Sequence, residues 1–177
     1  MRSLRASARD RYAAGETSAR AAREVRRSYQ AEGRRLARAR GDSYAAGCML
    51  YWAEGDKRRN AVALANSDAS SLAFFAAFLR LHFCVEEAAF RVYCNLFADH
   101  AGRQEEIERF WLTTLELPSS CLRKSTINTY SKYSAKKRTN TLPYGTCKLV
   151  VHRSRIVQTI CGSIQEYGGF ERPEWLD

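Results

Sequence analysis

The chain has 177 residues, 45% of them hydrophobic and 27% charged, with a formal net charge of +10. That composition fits one globular domain with a sizeable core and excludes a chain too polar to fold. The basic excess, with an isoelectric point near 9.6, favours polyanionic partners; six cysteines without a Cys-x-x-Cys pair, three scattered histidines and no long apolar run exclude a disulfide framework, a zinc site and a membrane span as expectations.

Residues 1–41 read as a basic helical arm, rich in Ala, Arg and Glu, with Gly15 and Gly33 as the expected interruptions. Twelve arginines stand against four acids (Asp10, Glu16, Glu24, Glu32) in residues 1–40. So few large apolar side chains cannot build a core alone, so the segment either extends or lies against nucleic acid. An arginine-rich start with no apolar stretch does not read as a signal peptide, and the setting expected is cytoplasmic and reducing.

Residues 42–177 form the expected globular domain. Residues 44–53 are apolar almost all round, which predicts a buried helix, and Glu54-Gly55 ends it. Val62 and Leu64 mark a short strand over 60–66, after which Ser67 or Asp68 caps a helix running to about Leu81. Phe90, Val92, Cys94 and Leu96 alternate with Arg91, Tyr93 and Asn95, the pattern of a half-buried strand. Residues 104–116 predict an amphipathic helix with Ile107, Phe110, Trp111 and Leu115 on one face, stopped by Pro118. A strand is expected within 122–133, a basic loop over 134–144 and a strand over 146–152. A last helix carries Ile156, Val157, Ile160, Cys161 and Ile164, and the tail 168–177 is acidic and turn-rich.

The segment Ala46-Gly47-Cys48-Met49-Leu50-Tyr51-Trp52-Ala53-Glu54-Gly55 combines small residues, which let a second helix approach closely, with one terminal carboxylate. Glu54 falls at the negative end of the helix dipole and so needs a compensating cation. The segment resembles the LAGLIDADG motif of homing endonucleases, with Glu54-Gly55 where that family has its acid-Gly pair; Trp52 and the absent Leu-Ala-Gly-Leu run depart from it. It is also similar to bacterial proteins carrying a Leu-Tyr-Trp-Ala-Glu-Gly stretch. The fold class implied is α+β, a LAGLIDADG-like mixed α/β half-domain with a small antiparallel sheet behind the basic arm. The resemblance further implies Glu54 as the catalytic residue and as ligand to Mg²⁺, which polarises a phosphoryl oxygen and activates water. One acid is a poor cage for Mg²⁺, so the resemblance implies a homodimer through helix 44–54. Beside these stand an ion pair of Glu54 with Lys57, Arg58 or Arg59, and a contact with a partner protein. Asp56 is a candidate supporting carboxylate.

Residues 121–155 hold nine basic groups and no acid. Arg123, Lys124, Lys132, Lys136, Lys137 and Arg138, interleaved with Ser, Thr, Asn and Tyr, are the residue types that contact phosphates and base edges. With Lys57, Arg58, Arg59, Lys148 and His152 they make up the candidate nucleic-acid-binding set. Tyr130 and Tyr133 either stack on bases or cover the sheet. Phosphate-cradling glycine loops and a Gly-x-Ser-x-Gly elbow do not occur. The expected function is nucleic-acid binding, DNA ahead of RNA, by a homing-endonuclease-like core without catalysis. The alternatives are a homodimeric Mg²⁺-dependent endonuclease or nickase using Glu54, and an RNA-binding or RNA-modifying accessory.

Overall fold

The computed structural model describes residues 2–128 and 142–177, with residues 2–10 and 14 described by backbone alone. Five α-helices occur among them: α1 (Arg2–Ala39), α2 (Asp42–Glu54), α3 (Ala69–Phe83), α4 (Gln104–Thr114) and α5 (Ser154–Gly168). The strands are β1 (Val62–Asn66), β2 (Phe90–Phe97), β3 (Thr126–Asn128) and β4 (Thr146–Val151), in the spatial order β1-β4-β2-β3. The α+β class therefore holds. The sheet is mixed rather than antiparallel: β4 runs antiparallel to both β1 and β2, and β3 runs parallel to β2. No described helix is long and apolar enough to cross a membrane.

Local chemistry explains where the elements start and stop. The Asp68 carboxylate accepts from the Ser70 and Ser71 amides at 2.8 and 3.4 Å, satisfying two donors that α3 itself cannot. These bonds hold the Asp68 carboxyl below its ordinary range. Alternation in β2 puts Phe90, Val92, Cys94 and Leu96 into the core and leaves Arg91, Tyr93, Asn95 and Phe97 half-exposed. Helices cover the first of these faces, where Leu64, Val92 and Leu149 join Tyr44, Phe75, Trp111 and Ile160 in the main core.

The central element is α5, buried continuously from Ile156 to Gln165. Val157, Ile160, Cys161 and Ile164 belong to the main core. Another side receives α1 at a very close crossing. A Cβ on Gly33 would lie 2.0 Å from the Thr159 carbonyl oxygen, and one on Gly162 would lie 2.0 Å from that of Gln30. Neither Gly15 nor Gly33 interrupts α1, which is one unbroken helix. Buried polar groups fix the register of this seam. Gln30 Nε2 donates to Gln158 Oε1 at 2.7 Å, Gln165 Nε2 donates to Gln30 Oε1 at 3.0 Å, and Ser163 Oγ donates to the Gly33 carbonyl at 2.8 Å. Gln158 Nε2 completes the set by donating to the carbonyls of Arg59 and Trp175. The second half of α1 thus packs along α5 as a wall of the core, with Gln30 and Ala37 buried. From residue 11 to 22, the described side chains are all exposed.

Candidate nucleic-acid interface

The sheet face turned away from the helices is assembled by strand register. Ala63 and Arg91 flank Val150, Ala65 and Tyr93 flank Lys148, and Asn95 sits opposite Thr146. Ala61, Ala63 and Val150 are buried and form a small apolar cluster against Tyr93. Arg58, Tyr93, Asn95, Thr126, Lys148 and His152 surround it, enclosing a shallow hollow of about 210 Å³. Small side chains on β1 and the long ones of Tyr93 and Lys148 thus give the face an apolar floor with a polar and cationic rim.

The chain reaches this face through the turn after α2. The Asp56 amide donates to the Ala63 carbonyl at 2.8 Å, and the Tyr51 hydroxyl donates to the Asp56 carbonyl. Those bonds place the half-buried Asp56 carboxylate between Arg58 Nε at 2.8 Å and Lys148 Nζ at 3.7 Å. One carboxylate between two cations leaves a net positive charge and holds both long side chains near the hollow.

Glu54 is the last residue of α2 and is exposed. Its expected ion pair with Lys57, Arg58 or Arg59 does not form. Arg58 goes to Asp56. Lys57 instead places its ammonium on carbonyls at the helix end, donating to Tyr51, Trp52 and Gly55 at 3.1, 2.9 and 2.6 Å. The cation that a carboxylate at this helix end requires is therefore present, bonded to backbone rather than to the carboxylate. Burial pushes the Lys57 ammonium below its usual value. Among the described residues no three His, Cys, Asp or Glu side chains gather as a metal-binding group.

Of the small residues of α2 expected as a seam for a second copy, Gly47 and Cys48 are used within the chain, whereas Ala46 and Ala53 are exposed. Tyr44, Gly47, Cys48 and Tyr51 are buried, and a Cβ on Gly47 would meet the Phe78 ring at 2.1 Å. Tyr51 stacks on Phe75 with ring centroids 5.7 Å apart. Burial raises the Cys48 thiol to about 12.

The remaining basic candidates divide. Lys148, His152 and Arg58 line the hollow, and Arg59 is exposed on the same turn as Arg58, its carbonyl held by Gln158. Arg123 lies toward the β3 edge, and its guanidinium donates to the carbonyls of Ser120 and Leu122 at 2.9 and 2.8 Å, so it is committed to local backbone. Lys124 beside it is exposed. Lys132, Lys136, Lys137 and Arg138, with Tyr130 and Tyr133, lie outside the described residues. Tyr93, Asn95 and Thr126 belong to no motif, and the one signal for them in the sequence is the alternation of β2, which places Tyr93 and Asn95 opposite the core side. Comparison of the chain with protein-family models, curated proteins and solved structures finds no match.

Proposed function

We propose that this protein binds nucleic acid, DNA ahead of RNA, across the sheet face turned away from its helices, with a homing-endonuclease-like core that binds without cutting. The observation that carries this reading is the hollow itself: Arg58, Lys148 and His152 stand around a half-exposed Tyr93 and Asn95 over an apolar floor. Cations bring the phosphate backbone in, whereas an aromatic ring and an amide on a shallow apolar surface suit base edges and sugar. A surface that served only solubility would mix charges evenly; residues 121–155 carry no acid at all.

The test is fluorescence anisotropy of a labelled duplex at several salt concentrations. Each phosphate contact steepens the logarithmic salt slope by about 0.9, so replacing both Arg58 and Lys148, which share the Asp56 carboxylate, by Gln flattens it by about 1–2. A slope unchanged in that variant removes the sheet face from the site. The second reading, a Mg²⁺-dependent endonuclease or nickase that acts as a homodimer, is favoured by one observation: the exposed Glu54 carboxylate makes no ion pair among the described residues and stands two positions from Asp56. Supercoiled-plasmid nicking with Mg²⁺ that is present in the wild type and lost in Glu54→Gln establishes that reading; nicking by neither leaves the binder.

A further inference from the structure

The β4–α5 junction joins two cationic surfaces. His152 lines the sheet-face hollow, and the next residue, Arg153, lines a cleft of about 300 Å³. Three chain segments far apart in sequence supply that cleft: Arg40 just after α1, His82 and Cys84 at the end of α3, and Arg153 with Arg155 at the start of α5.

The charges in the cleft are unequal. Arg155 is neutralised by Glu32, with Nη2 and Oε1 2.9 Å apart. Arg40 and Arg153 form no carboxylate ion pair among the described residues. Arg40 is nevertheless held in place: its guanidinium lies over the Tyr44 ring, 5.8 Å from the centroid, and Nη1 donates to His82 Nδ1 at 3.0 Å. A guanidinium only donates, so Nδ1 must accept, and the imidazole is neutral with its proton on Nε2, facing Ser43 Oγ at 3.3 Å. One of five N–H donors is used in this way, and the others form no hydrogen bond among the described residues. Arg153 also occupies the cap position of α5, where no side chain caps the helix. The start of that helix adds positive potential to the wall that carries Arg153 and Arg155.

Unneutralised guanidiniums, a neutral imidazole and an uncapped helix start in one concave wall have the chemistry of an anion seat, and the fork of arginine matches the oxygens of a phosphate. We propose that this cleft seats one backbone phosphate of the nucleic-acid strand that leaves the sheet face past His152. The proposal rests on the nucleic-acid reading above and extends its footprint round the β4–α5 junction.

Cys84 gives a direct readout, because it is the exposed cysteine of the six and lines the cleft. The rate at which maleimide labels Cys84 is measured alone, with a DNA duplex of about 20 base pairs, and with inorganic phosphate at matched ionic strength. Duplex binding is followed in parallel by anisotropy for wild type, Arg40→Gln plus Arg153→Gln, and Arg58→Gln plus Lys148→Gln. The expected result is that duplex slows labelling at least fivefold, and that the Arg40/Arg153 variant lowers the salt slope by about 1 and loses that protection. Protection by free phosphate but not by duplex overturns the proposal in favour of a small-anion site. An unchanged slope and unslowed labelling, with the Arg58/Lys148 variant still impaired, overturns the cleft and leaves the sheet face standing. No duplex binding by the wild type overturns both.

Discussion

The α1–α5 crossing gives a prediction whose size follows from the structure. In Gly33→Ala the new Cβ starts 2.0 Å from the Thr159 carbonyl oxygen and 2.9 Å from the Ser163 amide nitrogen, where ordinary contact begins near 3.4 Å. Both obstacles are backbone, so the helices must separate, and that motion stretches the Ser163–Gly33 and Gln30–Gln158 bonds. Overpacking costs about 1–3 kcal/mol. Each buried hydrogen bond lost adds about 1 kcal/mol. The better helix propensity of Ala returns about 1 kcal/mol. The net loss expected is about 2–4 kcal/mol, which lowers Tm by about 5–15 °C for a domain of this size. Gly15→Ala on the same helix is the control: nothing lies within 4 Å of its Cβ, so Tm holds or rises slightly. Thermal unfolding followed by circular dichroism reads both. A Gly33→Ala protein as stable as wild type would refute the close crossing and, with it, the place of α1 in the domain.

Two further outcomes follow from the electrostatics. Burial first, and Arg40 second, hold the His82 imidazole below its ordinary value of 6.5. The unfolded chain therefore takes up that proton first, so this part of the stability is complete above about pH 6.5 and is lost as the pH falls below it. His82→Gln, which can still accept from Arg40 and donate to Ser43, should show a flatter decline of Tm between about pH 6.5 and 5, a window above the carboxylates; an identical decline in wild type and variant contradicts the neutral imidazole. For the thiols, burial keeps Cys48 and Cys161 at about 12, whereas Cys84 is exposed. A disulfide-exchange reagent should therefore find one fast thiol in the folded protein and all six in denaturant; two or more fast thiols would contradict the burial of the other five.

Patterns that repeat within one element were legible in the sequence. Strict alternation located β2, Asp68 marked the start of α3, and the apolar stripe located α5. Features that depend on which distant segments meet were not. The parallel pairing of β3 with β2 rests on a contact across the sheet that no local spacing encodes. Gly33 reads as a helix breaker along the chain, yet it is the residue that lets α1 touch α5. Gln30, Gln158 and Gln165 look like surface residues in any hydrophobic pattern, and they are buried only because each satisfies another. At the candidate site, the motif helix pointed to Glu54, but the turn after Gly55 is what brings a carboxylate, Asp56, to the cationic sheet face. Arg40 and Arg153 share a cleft for the same long-range reason.

If the sheet face turned away from the helices receives nucleic acid, amide chemical-shift mapping of the ¹⁵N-labelled protein during a titration with duplex DNA locates the contact residue by residue. The largest changes are expected in the turn at residues 56–60, on the strands around Ala63, Tyr93 and Lys148, and at His152 and Arg153. Changes centred instead on the outer surface of α4 or on the C-terminal tail, with the sheet amides unmoved, would contradict binding at that face.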